Sequence, residues 1–244
     1  MKAPDSYSAT LTLLGMLVII DLLFMGVHVV HAWTPWLDGG HYSIEADRGL
    51  AEIYQYIKEF WVAACMAAAF LMTRIRAFLG WSALFAFLLL DDAAQIHERV
   101  GYWLGQGLGL RGFAGLRADD FGELLFAGLI GLLTFAMIAH TLFRGEPTAR
   151  RSTRDVFLLV GTLAFFGVAV DAVHVISYFE APLVAPLLAL IEDGGEMVVV
   201  SMLTCYAFDV VTNDGRIRID CYQAAKTWWS GRGAVNLSTD RLST

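Results

Sequence analysis

The chain has 244 residues, of which 57% are hydrophobic and only 17% are charged, and its mean hydropathy is +0.57. A soluble domain carries about a quarter charged residues, so this composition excludes an ordinary soluble protein and indicates an integral membrane protein. The net charge of −7 would suit an acidic water-facing surface, but many of the acidic residues lie inside apolar stretches.

Six apolar stretches are long enough to cross a bilayer, which takes about 20 helical residues. They lie at residues 10–33, 50–73, 77–100, 120–143, 155–179 and 184–211. The first has Asp21 near its middle and no small-residue cleavage site, so it is predicted to be a true span and not a signal peptide. The predicted fold is an all-α polytopic membrane bundle of about six helices over residues 1–211, with a short cytoplasmic tail over 212–244.

The basic residues predict how this bundle is oriented. With the N-terminus inside, the inner segments hold twelve Lys and Arg residues and the outer segments hold four. Because Lys and Arg are retained in cytoplasmic loops, both termini are predicted to be cytoplasmic, in a plasma or inner membrane. The expected partners are the lipid bilayer and a membrane-accessible small molecule or cation, with no nucleic acid.

Each predicted helix carries one polar stripe, confined almost entirely to its outer half. The stripes follow from a rotation of about 100° per residue. They consist of Asp21 and His28; Glu52, Tyr56 and Glu59; Asp91, Gln95 and Glu98; Asp120 and Glu123; Asp171 and His174; and Glu192 and Glu196. Six stripes in the same half predict that these side chains share one cavity.

The charges of this predicted cavity are unbalanced, because the stripes hold ten carboxylates and few cations. Lys58 points away from the stripe of its helix, and Arg99 lies at the outer end. A carboxylate at mid-membrane costs about 2.5–3.5 kcal/mol on insertion scales. The cavity is therefore expected to hold protons, water or bound cations.

A metal site is the leading interpretation of the deeper residues. Asp171 and His174 have the i, i+3 spacing that helical metal sites use, with Asp in place of Glu, and Glu192 and Glu196 stand one turn apart. Carboxylate and imidazole donors favour iron, manganese or zinc over copper. Bis-histidine haem and a proton-handling carboxylate network are the alternatives. The predicted ligands are Glu59, Asp91, Asp171, His174, Glu192, Glu196 and His28.

Other polar residues are expected to have structural roles. Asp120 opens the fourth predicted helix and is a candidate cap. His97 points about 120° away from the stripe of its own helix, which predicts packing against a neighbouring helix. Asp92 and Asp193 are interpreted as interhelical pairing residues, with Lys58 as a candidate partner, because buried charges are usually paired.

The leading functional hypothesis is a membrane-embedded, metal-dependent enzyme, a hydrolase or oxidoreductase acting on a lipid, quinone or other membrane-accessible substrate. Glu98 or Glu123 would serve as general base at the mouth of the site. The sequence has no HExxH, GxSxG, P-loop or GxGxxG motif. A proton- or cation-coupled transporter or channel is the alternative, followed by a structural subunit. The inner halves are nearly free of ionisable groups, which favours a site open to one side only.

Overall fold

The computed structural model describes residues 6–113, 116–180, 185–219, 221–222 and 226. Over these residues the chain is helical apart from its connections. The helices are α1 (Ser6–Trp33), α2 (Leu50–Thr73), α3 (Arg76–Ala94), α4 (Ile96–Gly107), α5 (Ala118–Arg144), α6 (Pro147–Ala164), α7 (Asp171–Glu180) and α8 (Ala185–Thr212), with a 3-10 turn at Gly40–Tyr42 and a π-helical segment at Phe165–Val170 between α6 and α7. The predicted all-α class is confirmed.

Five segments of the described chain are long and apolar enough to cross a membrane. They are Ser8–Trp33, Leu50–Thr73, Arg76–Ala94, Ala118–Arg144 and Pro147–Ile176. The helix α8 has 28 residues, as many as α1, but it carries Glu192, Asp193 and Glu196 in its first half. The count of six spans therefore stays a prediction, and most of the predicted tail at 212–244 lies outside the described residues.

The third predicted span, 77–100, is not one continuous helix. It ends at Ala94, and Gln95 adopts a left-handed conformation with φ of 51° before α4 begins. The backbone N–H of His97, in the first turn of α4, donates to Oδ1 of Asp91 at 2.7 Å. An acceptor at this point satisfies one of the free N–H groups of a helix start, so the Asp91 side chain stabilises the break.

Close glycine contacts explain where α4 goes after the break. It lies against the start of α5, and the Cβ of an alanine at Gly122 would collide with the backbone oxygen of Gly101. A Cβ at Gly105 would likewise lie 2.9 Å from the backbone oxygen of Ala118. Small residues at both surfaces therefore allow the two helix backbones to touch, as in many membrane bundles.

The helix α8 lies at the centre of the bundle and packs against α1, α2, α6, α7 and the π-helical segment. The apolar core includes the fully buried side chains of Val62 and Met66 in α2, Trp81 and Phe85 in α3, and Leu203 in α8. It fills the half of the bundle in which α2 ends and α3 begins. The opposite half, in which α2 begins and α3 ends, holds most of the acidic and histidine side chains of the predicted stripes and is called the polar end below.

A buried ion pair joins three of these helices. Nζ of Lys58 in α2 donates to Oδ1 of Asp21 in α1 at 2.9 Å, to the backbone oxygen of Met197 in α8 at 2.8 Å and to Ser201 at 3.3 Å. Ser201 also donates to Asp21, at 2.6 Å. The prediction that Lys58 pairs with Asp92 or Asp193 is therefore wrong, because all three donors of its ammonium group are used by this network.

Candidate functional site

A cavity of about 790 Å³ opens at the polar end, between α2, α3, α4, α5, α7 and α8. Nine carboxyl side chains line it: Glu59, Asp91, Asp92, Glu98, Asp120, Glu123, Asp171, Glu192 and Glu196. Among the described residues of the lining, only His97 and Arg117 bring basic groups. Since Arg117 forms an ion pair with Asp120 at 2.8 Å, little positive charge remains for the other carboxylates.

Asp91, Asp92 and His97 form the tightest group of metal-ligand side chains in the described part of the chain. Each offers one ligand atom, and these atoms lie within 4.8 Å of one another. Nδ1 of His97 is 3.2 Å from Oδ2 of Asp91. The prediction that His97 points away from the stripe of Asp91 is wrong, because the break at Gln95 ends the helical rotation on which it was based.

The pKa of His97 is raised to about 9, chiefly by its hydrogen bond to Asp91 and further by the charges of Asp91, Asp92 and Glu123, although partial burial opposes the rise. This residue lies in α4, outside the five segments that are apolar enough to cross a membrane. An imidazolium therefore occupies the group at neutral pH and balances part of its negative charge. A metal ion would have to displace that proton to use the same nitrogen.

Glu59 lies beside this group and is buried, with only 3% of its surface exposed. Its carboxyl group is within hydrogen-bonding reach of Asp92. Its second oxygen, Oε2, is buried and has no hydrogen-bond partner among the described residues. A buried polar atom left without a partner is costly, so a proton, a water molecule or a cation is needed at this position.

A second group forms where α7 meets α8. Nδ1 of His174 lies 2.7 Å from Oε2 of Glu192, and the carboxyl group of Asp171 is within hydrogen-bonding reach of Glu192. On the other side of the ring, Nε2 of His174 is 4.0 Å from Oε1 of Glu45, whose side chain is 41% exposed. The imidazole thus lies between a cavity carboxyl group and the protein surface.

Glu196 lies close enough to Asp92 and to Glu192 for its charge to act on both, so it connects the two groups. Its side chain passes directly over Gly167, where an added Cβ would collide with Oε1. Gly167 belongs to the π-helical segment Phe165–Val170. Such segments interrupt the regular helical register and are frequent at functional sites. Here the segment places the backbone of Gly167 against the Glu196 side chain, four residues before Asp171.

Most of the residues predicted as metal ligands border this one cavity. Glu59, Asp91, Asp171, Glu192 and Glu196 line it directly. His174 is attached to it through Glu192.

His28, by contrast, lies elsewhere. Its Nδ1 accepts the backbone N–H of Ile44 at 3.2 Å, which ties α1 to the connection before α2.

The two residues proposed as general bases lie in different surroundings. Glu123 lines the cavity near His97 and is partly buried. Glu98 is exposed at the rim and accepts a hydrogen bond from Nε2 of Gln95 at 3.0 Å. Asp120 accepts the backbone N–H of Arg117 at 2.6 Å, which confirms its predicted role as a helix cap.

Buried acidic residues at the opposite end of the bundle have structural partners instead. Asp209 accepts hydrogen bonds from Thr10 at 3.2 Å and from Asn213 at 3.1 Å. Asp155 accepts the backbone N–H of Tyr222 at 2.9 Å. Neither of these two residues lines the cavity.

Comparison with known proteins gives a family and no function. No curated protein and no solved structure matches the chain. A family profile described as "Domain of unknown function (DUF8692)" matches residues 49–210, which is more than half of the chain and includes every residue that lines the cavity. The chain belongs to this family, the domain of unknown function DUF8692.

Proposed function

We propose that this protein is a membrane-embedded, metal-dependent enzyme whose site lies in the cavity at the polar end. The observation that carries the proposal is the group of Asp91, Asp92 and His97, whose ligand atoms lie within 4.8 Å of one another. Glu59, beside Asp92, would be a further ligand, because its buried Oε2 has no hydrogen-bond partner among the described residues. Three carboxylates and one imidazole suit iron, manganese or zinc, which accept oxygen and nitrogen donors.

The contacts between carboxyl groups support a bound cation. Glu59 lies against Asp92, and Asp171 lies against Glu192. Two ionised carboxylates in contact repel each other strongly, so each pair is stable only when a proton or a cation is shared between them. A divalent ion at the first pair would remove most of this repulsion and would also supply a Lewis acid or a redox centre.

The remaining residues of the cavity would position and deprotonate a substrate. Glu123 lies close to His97 and inside the cavity, so it is our candidate general base. Glu98, at the exposed rim, would interact with a substrate on entry. The second group, Asp171, His174 and Glu192, would hold a second ion or relay protons to the surface.

We further propose the orientation that the basic residues predict. The helix α8 would be the sixth span, both termini would be cytoplasmic, and the polar end would face the outer side of a plasma or inner membrane. The cavity would then open toward the outer compartment.

Proton or cation transport is the alternative, and one observation favours it. The contacts run from buried Glu59 to Asp92, and separately from Asp171 through Glu192 and His174 toward exposed Glu45. Glu196 acts electrostatically on both groups. A row of titratable groups from a buried position to the surface can relay protons without any metal.

Elemental analysis of the purified protein tests the metal site. We expect iron, manganese or zinc in a fixed ratio to protein, and Asp92→Asn and His97→Ala should each remove most of it. Glu52→Gln, which lies outside the cavity lining, is the matched control and should keep the metal. The Asp92→Asn bundle should still fold, since neutralising a carboxylate in a crowded acidic group also relieves repulsion.

Flux measurements in liposomes, together with the metal analysis, separate the two functions. A wild-type protein without metal that conducts protons in liposomes, with conduction blocked by Glu192→Gln, would contradict the enzyme and support the relay. Stoichiometric metal without proton or cation flux would contradict transport.

A further inference from the structure

The cavity continues from its carboxylates into an apolar slot along α5. On the α5 side it is lined from Leu124 to Ile138. The rise between these two residues is about 21 Å, which covers most of the hydrocarbon core of a bilayer. The facing walls are apolar side chains of α3 and α6, among them Leu84, Phe87, Leu88, Phe157, Val160 and Leu163.

Three of the side chains that line the slot are also exposed. Leu124, Phe135 and Phe157 line it, yet they are 37%, 62% and 48% exposed. These side chains belong to helices that are apolar enough to lie in a membrane, so the exposed side of the slot would face lipid tails. A slot exposed on this side would admit a molecule from the bilayer without a passage through water.

Two glycines show that the slot has room for a chain. Gly131 in α5 and Gly161 in α6 both line it, and a Cβ added at either position would meet no described atom within 4 Å. Gly128, also in α5, has the same open surroundings but does not line the slot. A larger side chain at Gly131 or Gly161 can therefore fill the slot without colliding with the bundle. A larger side chain at Gly128 should leave the slot unchanged.

We infer that the cavity binds a long-chain amphipathic molecule, with its apolar chain in the slot and a neutral or cationic head among the carboxylates. The chain follows from the length and apolar lining of the slot. The head follows from charge. The described lining has nine carboxyl groups and only two basic side chains, and this excess of negative charge repels a phosphate or carboxylate head. An amine or hydroxyl head can donate hydrogen bonds to the same oxygens.

This inference names the substrate class of the proposed enzyme and rests on that proposal, because the head would lie beside Asp92 and Glu59, where the metal would be held. The binding itself depends only on the shape and charge of the cavity. Binding and metal content can therefore be measured separately.

Binding measurements on the full chain in nanodiscs, after removal of metal with a chelator, test the inference. Hexadecylamine and hexadecanol should bind, and hexadecanoate, which has the same chain with an anionic head, should bind at least about tenfold more weakly. Gly131→Leu and Gly161→Leu should each weaken hexadecylamine binding by a similar factor, because the leucine fills the slot. Gly128→Leu should bind as the wild type does.

Two results would overturn the inference: hexadecanoate binding as tightly as hexadecylamine, or unchanged binding in both slot variants. Thermal unfolding of each variant shows whether it is folded. If Gly131→Leu does not fold, Gly161→Leu still tests the slot. Metal analysis of the untreated protein distinguishes the two proposals. Wild type that binds amphipath but contains no metal contradicts the metalloenzyme alone. Wild type that contains metal but binds neither hexadecylamine nor hexadecanol contradicts this inference alone.

Discussion

Lys58 is a buried cation whose ammonium group forms three hydrogen bonds to neighbouring helices. It is 1% exposed, and its ammonium group contacts Asp21, Met197 and Ser201. We expect Lys58→Met to destabilise the protein by about 3–5 kcal/mol, because Asp21 would remain as a buried charge without its partner. The free energy of unfolding, measured by denaturant titration in mixed micelles, checks this value.

The double variant Lys58→Met with Asp21→Asn is the control for that prediction. It removes both charges, so it should recover much of the stability that Lys58→Met loses. Equal destabilisation of the single and double variants would show that packing, and not the ion pair, makes Lys58 important.

His97 should give the metal-free protein a distinct dependence on pH. Its pKa is about 9 in the folded protein, above the ordinary 6.5, so the folded state binds the proton more tightly than the unfolded state. The stabilisation is complete below pH 6.5 and is lost as the pH rises through about 9. We expect the thermal unfolding midpoint of chelator-treated protein to fall over this range.

The variant His97→Gln isolates this effect, because glutamine keeps a polar side chain but does not titrate. Its unfolding midpoint should depend less on pH between 6.5 and 9 than that of the wild type. Identical pH profiles for the two proteins would exclude the pairing of His97 with Asp91 as their source.

The residues of the cavity were partly predictable because helical geometry repeats. A rotation of 100° per residue was enough to select Glu59, Asp171 and Glu192, which do line one cavity. It failed at His97, whose direction depends on the left-handed residue Gln95. A glutamine is not a typical residue for such a break, and the Asp91 side chain that stabilises it accepts the backbone N–H of a residue six positions later, which is not a standard capping spacing.

Among the helices, the contact between α4 and α5 depends on glycine. We expect Gly122→Ala to destabilise the protein by about 1–3 kcal/mol, because its methyl group would collide with the backbone of Gly101. Gly128→Ala in the same helix meets no described atom within 4 Å, so it should be neutral or stabilise the helix by up to about 1 kcal/mol. Chemical denaturation of both variants compares them directly.

The long apolar stretches predicted most helices well, since a span needs only length and hydrophobicity. The stretch at 50–73 coincides with α2, Leu50–Thr73, and 184–211 nearly coincides with α8. The π-helical segment at Phe165–Val170 was not predicted. Its extra residue per turn leaves no mark on composition, and it is stabilised by contacts with α8, including that of Gly195 with Phe166.

For the whole molecule, the orientation in the membrane is open to a labelling experiment. After replacement of the native cysteines, Gly40→Cys and Leu108→Cys should react with an impermeant thiol reagent in intact cells, since both positions are exposed at the polar end. Glu146→Cys, exposed at the other end, should react only after the membrane is disrupted. The reverse pattern would put the cavity on the cytoplasmic side.

The acidity of α8 has a consequence for how the protein is made. This helix carries Glu192, Asp193, Glu196 and Asp209, and it is not among the five segments that are apolar enough to cross a membrane on composition alone. A lone segment with these charges partitions poorly from the translocon into lipid. The network of Lys58 with Asp21, Met197 and Ser201 gives it a prepared place against α1 and α2. In the proposed topology, in which α8 is the sixth span, its insertion during synthesis should therefore depend on those earlier helices.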